Sequence, residues 1–205
     1  IKIMNNATFF CNQQKNEPVF SYAKGSKERD LLSKELEKQY NQCIEIPIII
    51  NGKEIRTGNV SEVVMPTEHS HVLAKFHKAD KETVQKAIEA ALEARKKWEN
   101  VHWIDRCSIM LRAAELLAGK YRYVINAATM LGQGKNPFQA EIDSACETID
   151  FLRFNVHYAS KIYAQQPLSD NSAINRLEYR GLEGFVYAIS PFNFTSIACN
   201  LNISP

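Results

Sequence analysis

Apolar residues recur every three or four positions over long stretches of the chain, a spacing that predicts amphipathic helices. Asp80 is a natural N-cap, Gly119 is a natural helix end, and Pro137 suits the first turn of a helix. With these start and stop signals, the pattern predicts helices over residues 27–42, 80–98, 104–118, 121–131 and 137–164. The middle of the chain is therefore predicted to be mostly helical.

Short β-branched runs predict strands on both sides of this helical region. Residues 46–50 meet Asn51-Gly52, the strongest short hairpin signal, and the chain returns through residues 53–56. Pro47 cannot donate a hydrogen bond to a ladder, which predicts that its strand starts there or lies on an edge. Further strands, the first two of them in the same antiparallel arm, are predicted over residues 60–65, 72–76, 174–179 and 185–189.

The composition is that of an ordinary globular protein. The net charge is +2, from 25 basic and 23 acidic residues that are well mixed along the chain. This balance gives no electrostatic footprint for nucleic acid or a membrane surface. No apolar run approaches the roughly 18–20 residues needed to span a bilayer. Because the first residue is Ile1 rather than Met, we expect the sequence to be an excerpt or a processed product.

The cysteine and histidine residues give no metal or disulfide pattern. The five cysteines are widely spaced and contain no Cys-x-x-Cys pair. That spacing predicts free thiols in a reducing compartment. His69 and His71 are close in sequence, but they lie in a polar loop with no third ligand nearby, so no metal site is predicted.

The strongest candidate for chemistry is Asn193. It follows the apolar run 185–189 and a Ser-Pro break, and in open α/β sheets ligand chemistry lies at the carboxyl ends of buried strands. A fixed amide can donate a hydrogen bond to a developing oxyanion without ionising itself. The alternative from local pattern is that Asn193 is the N-cap of the next helix.

Two further motifs lie near the start of the helix predicted over residues 137–164. Glu141 and Asp143 are two positions apart, so they point to different faces and do not form an acid–base pair. A solvated helix face is the alternative for Glu141. Residues 132–135 resemble a piece of a phosphate loop but lack its full spacing and a preceding strand, which predicts a turn between helices.

Three stretches resemble the aldehyde dehydrogenase superfamily, namely residues 81–98, residues 132–143 and residues 180–194. Within it, Gln-Ala-Glu-Ile-Asp and Ser-Pro-Phe-Asn-Phe are similar to the branch that oxidises L-glutamate γ-semialdehyde. Most other branches have Pro-Trp-Asn in the second motif. The resemblance covers nearly the whole chain from about Asn16 onward. It implies an α/β fold that contains the N-terminal part of a Rossmann-like, NAD-binding domain with an antiparallel β arm.

Under this resemblance the chain divides into an irregular segment (1–26), a helix with the arm (27–78) and a truncated part of the dinucleotide-binding domain (79–205). It implies that Asn193 is the catalytic oxyanion-hole donor. Phe194 and Glu141 would line the substrate pocket. The strand end that lies against the adenosine half of NAD would consist of Ile189, Ser190, Pro191 and Phe192, with Ser190 in direct contact.

The resemblance also implies NAD as the cofactor and a small aldehyde as the substrate. It implies a homo-oligomer when the protein is full length, and the mitochondrial matrix if the source is eukaryotic. Neither nucleic acid nor a membrane is an expected partner.

Departures from the family pattern predict that these 205 residues alone are inactive. In the family pattern, three elements come later than residue 205: the nucleophilic cysteine, the general-base glutamate and the loop that binds the substrate carboxylate. None of the five cysteines lies at the position of the nucleophile. Residues 202–205 are expected to be an altered or truncated end. One alternative is a non-catalytic fragment that docks on full-length subunits through its arm. Another is a different semialdehyde dehydrogenase.

Overall fold

The computed structural model describes residues 11–201, so the first ten residues and the expected altered end at 202–205 lie outside the described part. Its helices are α1 (Lys27–Tyr40), α2 (Lys81–Trp98), α3 (Trp103–Ala118), α4 (Arg122–Gln133), α5 (Pro137–Ala140) and α6 (Glu147–Ala164). A π-helical segment (Glu141–Cys146) joins α5 to α6, and a 3₁₀ helix covers Ile197–Leu201. The strands are β1 (Ile44–Ile46), β2 (Ile48–Ile50), β3 (Lys53–Ile55), β4 (Val60–Met65) and β5 (Glu68–His77).

The helix boundaries follow local capping chemistry. The Asp80 carboxylate accepts a hydrogen bond from the Thr83 backbone N–H at 2.8 Å and caps α2 as predicted. Gly134 ends α4 in the left-handed conformation, with φ of 65°. Asn136 then starts α5 through a capping box with Gln139. The turn predicted over residues 132–135 is therefore confirmed as a junction between two helices.

The single helix predicted over residues 137–164 is instead three consecutive helical pieces. Residues 141–146 form the π-helical segment, in which each hydrogen bond encloses one residue more than in an α-helix. No proline or glycine occurs within this segment, so the sequence carried no local signal for it. Such segments are rare and are found often at functional sites.

The predicted arm consists of two small sheets, and it is not wholly antiparallel. Strands β4 and β5 form an antiparallel hairpin, while β1 pairs with β5 in parallel. Strands β2 and β3 form a separate antiparallel hairpin around Asn51-Gly52, as predicted. Pro47 lies between β1 and β2, where its missing N–H stops the ladder and lets the chain pass from one sheet to the other.

Two small apolar clusters hold the helices together. Helix α3 packs on α6 through Ala114, Ile149 and Leu152. Helix α1 packs on α4 through Leu32 and Ala127. Helix α1 thus contacts the helical part of the chain as well as preceding the arm, and the division between residues 78 and 79 stays a prediction. No helix within residues 11–201 is both long and apolar enough to cross a membrane.

The two closing strands predicted over residues 174–179 and 185–189 are wrong. Within the described residues, the stretch from 165 to 196 contains no strand and follows an irregular, extended path. Its apolar side chains are exposed, including Leu168 at 92% and Tyr187 at 78%. A strand needs a neighbour to take up its backbone hydrogen bonds, and no strand of residues 11–201 lies beside this stretch.

The exposed stretch leads us to expect that the 205-residue chain self-associates and binds an apolar dye. Extended, unpaired and apolar backbone is a template for aggregation. Light scattering and dye fluorescence would measure this, with the Leu168→Ser/Tyr187→Ser double variant as a more polar comparison. A monomeric wild-type chain that unfolds in one sharp thermal transition without dye binding would contradict the expectation.

Candidate active site

Asn193 lies on an exposed, irregular segment immediately before the 3₁₀ helix. Its side-chain amide makes no hydrogen bond to any of residues 11–201, so it is available to an external acceptor. The alternative role as a helix N-cap has no support, because the backbone turn into the 3₁₀ helix is closed by Ser196, whose carbonyl accepts from Cys199 N–H.

The backbone around Asn193 is held from the turn between α4 and α5. The Lys135 ammonium donates to the Asn193 carbonyl oxygen at 2.8 Å. The Gln133 side-chain amide donates to the Phe192 carbonyl oxygen at 3.3 Å. The amide of Asn193 therefore projects from a main chain that two side chains tether.

A second tether lies three residues further on, at Ser196. Its hydroxyl donates to the Ser144 carbonyl oxygen at 2.8 Å and lies 2.9 Å from the Thr148 hydroxyl. Ser144 belongs to the π-helical segment and Thr148 to α6. The segment that carries Asn193 is thus fixed on one side to the α4–α5 turn and on the other to the long helix.

Phe194 borders a small, mostly apolar cleft. The cleft has a volume of about 250 Å³ and is lined by Phe151, Pro191, Phe194, Ile197, Ala198, Asn200 and Leu201. An aromatic ring in this place can contact the aliphatic part of a small substrate. The cleft thus adjoins the exposed Asn193 amide, and the roles predicted for Asn193 and Phe194 stay predictions.

The four residues predicted to contact NAD form an exposed ledge rather than the end of a buried strand. Ile189 is 69% exposed and Phe192 is 96% exposed, and Ser190 and Pro191 are also exposed. The exposed side chains are open to a ligand, and the contact with the adenosine half of NAD stays a prediction. These residues could supply one wall of a cofactor site.

Glu141 has a different environment from the one that the resemblance implies. Its carboxylate is fully buried and accepts hydrogen bonds from the Tyr22 hydroxyl at 2.6 Å and the Asn126 amide at 2.8 Å. The Phe20 backbone N–H donates at 2.9 Å, and the Arg122 guanidinium forms a close ion pair with it. All of these donors belong to the chain itself, so the solvated-face alternative is wrong and the predicted substrate contact gains no support.

The charges of this buried cluster favour an ionised Glu141. Burial alone would raise the pKa of the carboxyl group, but the hydrogen bonds from Arg122, Tyr22 and Phe20 N–H outweigh it and hold the pKa below the ordinary 4.5. Burial and the neighbouring carboxylate raise the pKa of the Tyr22 hydroxyl. The pair of Arg122 and Glu141 is therefore an internal ion pair at neutral pH.

This cluster fastens the irregular N-terminal segment to the helices. Arg122 also binds Glu17 at 2.5 Å and the Pro18 carbonyl oxygen at 2.6 Å. Arg153 on α6 binds the other oxygen of Glu17 at 2.5 Å. The function of Glu141 in the described structure is thus to anchor residues 17–22, and sequence analysis missed its partner Arg122 because the two are 19 positions apart.

The cysteines within the described residues are free thiols, as predicted. Cys146 is buried beside Glu141, and burial together with that charge raises the pKa of its thiol to about 12. It is therefore a poor nucleophile at neutral pH. In the part of the chain that the structure covers, no cluster of three or more His, Cys, Asp or Glu residues is arranged to hold a metal ion.

These features define an α/β protein that presents an exposed amide on a tethered main chain, and the chain belongs to the aldehyde dehydrogenase family, whose profile matches residues 54–205. Its relatives include delta-1-pyrroline-5-carboxylate dehydrogenases. The one from Agaricus bisporus is 52% identical over 201 residues, which cover 97% of this chain and 37% of the relative. The mitochondrial one from Homo sapiens is 50% identical over 190 residues, which cover 93% and 34%.

The fold is also shared with solved structures. A crystal structure of the Delta-pyrroline-5-carboxylate dehydrogenase from Mycobacterium tuberculosis bound with NAD matches with a TM-score of 0.93 and 45% identity. That match covers 96% of this chain and 37% of the other chain. The predicted family and α/β class are confirmed, and the chain spans roughly a third of the length of these relatives, between 34% and 37%.

Proposed function

We propose that this chain is the N-terminal part of an NAD-dependent dehydrogenase that oxidises L-glutamate γ-semialdehyde (delta-1-pyrroline-5-carboxylate) to L-glutamate in proline catabolism. The observation that carries the proposal is the exposed Asn193 amide on a main chain tethered by Lys135 and Ser196. Identities of about half to enzymes of that name support the choice of substrate.

In this proposal Asn193 stabilises charge rather than moving a proton. A thiolate from the rest of the enzyme adds to the aldehyde carbon, and the aldehyde oxygen becomes an alkoxide. The Asn193 amide donates a hydrogen bond to that oxygen, and Phe194 contacts the carbon chain of the substrate. NAD would supply the hydride acceptor, with Ile189, Ser190, Pro191 and Phe192 along its adenosine half.

The partners and location follow from the same relatives. We propose a homo-oligomer for the complete protein, as the resemblance to the family implies. The relatives from Homo sapiens and Dictyostelium discoideum are named as mitochondrial, and a eukaryotic source would place this protein in the matrix. No nucleic acid or membrane partner is part of the proposal.

The test is to determine the transcript beyond the codon for Pro205 and to express the complete reading frame. We expect NADH formation from glutamate semialdehyde by the complete protein and none by the 205-residue chain, since removing a covalent nucleophile leaves little rate. NADH absorbance measures both. A stop codon directly after Pro205, or a complete protein that prefers an aldehyde without a carboxylate, would overturn the proposal.

A further inference from the structure

The Lys135 ammonium group is the point at which the candidate site meets the helical scaffold. It lies 2.8 Å from an Asp143 carboxylate oxygen, 2.8 Å from the Asn193 carbonyl oxygen and 4.4 Å from the centre of the Phe194 ring. Two of its three N–H donors are therefore used within the chain, and the charge also lies over the ring. These contacts join Lys135 to both candidate site residues, so a change at Lys135 would reach the site through them.

The position of Lys135 is itself fixed by the backbone on both sides. Gly134 precedes it in the left-handed conformation, and its N–H donates to the Met130 carbonyl oxygen. Asn136 follows it as the N-cap of α5. Lys135 thus extends from a short junction between two capped helix ends, which limits how far its side chain can move.

Asp143 sets the direction in which the Lys135 side chain points. It belongs to the π-helical segment, and in the same segment Ser144 accepts the hydroxyl of Ser196. The two residues are adjacent, and each holds one side of the segment that carries Asn193.

We propose that Lys135, oriented by Asp143, is a positioning residue that sets the place of the Asn193 amide and the tilt of the Phe194 ring. The proposal rests on the function proposed above for Asn193. The physical reason is that an oxyanion donor is effective only within a narrow range of distance, and a displacement of about 1 Å can cost about 100-fold in rate. Loss of the Lys135 contact would release the Asn193 carbonyl and remove the cation from the ring.

The first experiment is limited chymotrypsin digestion of the 205-residue chain, at a concentration at which light scattering shows a monomer. Cleavage after Phe192 reports local opening at Asn193, and cleavage after Tyr187 in the same digest is the internal reference. In Lys135→Met we expect cleavage after Phe192 to become about 10-fold faster relative to cleavage after Tyr187. The reason is that one hydrogen bond from a charged group favours the closed segment over the locally open one by about that factor. Lys135→Arg should restore part of the protection.

The control variant is Lys86→Met, which removes an exposed lysine paired with Glu82 on α2, away from the site. It should leave the ratio of the two cuts unchanged. An unchanged ratio in Lys135→Met would overturn the proposal, as would an equal acceleration of both cuts. This measurement involves no enzyme activity, so it tests the contact between Lys135 and the Asn193 segment independently of the proposed function.

The second experiment is a double-mutant cycle in the complete enzyme. Lys135→Met should lower kcat by about 10-fold or more with a smaller change in KM, and Asp143→Asn should act in the same direction. In an Asn193→Ala background, Lys135→Met should cost nothing further, because its effect passes through Asn193. Additive losses would overturn the positioning role, and an Asn193→Ala variant with normal kcat would refute the proposed function instead.

Discussion

Asn193→Ala in the complete enzyme is expected to lower kcat by about 10²–10³-fold, the usual loss for one oxyanion donor. The aldehyde oxygen acquires its charge only after the thiolate adds, so the amide favours the transition state over the bound substrate. KM for the aldehyde and affinity for NAD should change little. Stopped-flow or steady-state NADH formation measures the effect.

Asn193→Asp is the matched control for the expected loss. It preserves the size of the side chain but replaces the donor with a negative charge, so it should be at least as inactive as the alanine variant. The unfolding midpoint of both variants should stay near that of the wild type, because the Asn193 side chain is exposed and makes no hydrogen bond within residues 11–201. A lowered midpoint with near-normal kcat would refute the oxyanion role.

The second large effect is expected from Arg122→Met. This substitution leaves Glu141 without its charged partner, whereas Glu17 keeps Arg153, and breaking a buried pair commonly costs about 3–5 kcal/mol of unfolding free energy. Urea unfolding at low protein concentration measures it. Arg56→Met, which removes an exposed pair with Glu54, should leave the midpoint unchanged.

A double variant tests whether the loss comes from uncompensated charge. Arg122→Met/Glu141→Gln removes the charge that Arg122→Met strands, so it should be more stable than Arg122→Met alone. If the two substitutions were simply additive, the ion pair would not be the source of the loss.

The same cluster predicts a pH dependence with a definite sign. The pKa of Glu141 is below its ordinary value of 4.5, so its contribution to stability is complete above that value and is lost as the pH falls further. The difference in unfolding free energy between wild type and Glu141→Gln should therefore shrink below pH 4.5. A constant or growing difference would show that Glu141 is not held ionised.

The sequence predicted the elements whose causes are local. Asp80, Gly119 and the Asn51-Gly52 turn act within a few residues, and each ends or starts an element where it was expected. The parallel pairing of β1 with β5 joins residues about 30 positions apart, as in the partners Ile44 and Ala74. No periodicity within either strand carries that information.

The candidate site divides in the same way. Asn193 and Phe194 were recognisable because they are neighbours in one motif, and the structure brings them to one exposed segment. The residues that hold this segment could not be recognised from the sequence, because Lys135 is 58 positions from Asn193 and Ser144 is 52 positions from Ser196. The resemblance placed Glu141 near the substrate, whereas the structure buries it among donors from two separate parts of the chain, residues 20–22 and helix α4.

The π-helical segment has a consequence for how sequence length can vary in this region. Its one extra residue per hydrogen-bonded ring changes the angular phase between α5 and α6. Residues 141–146 can therefore contact two other parts of the chain at once. Glu141 binds the N-terminal segment, and Asp143 and Ser144 bind Lys135 and Ser196, which hold the segment that carries Asn193. A one-residue deletion here would restore a regular helix, but it would preserve only one of these two sets of contacts. The same deletion in the irregular stretch 168–175 would leave both sets in place.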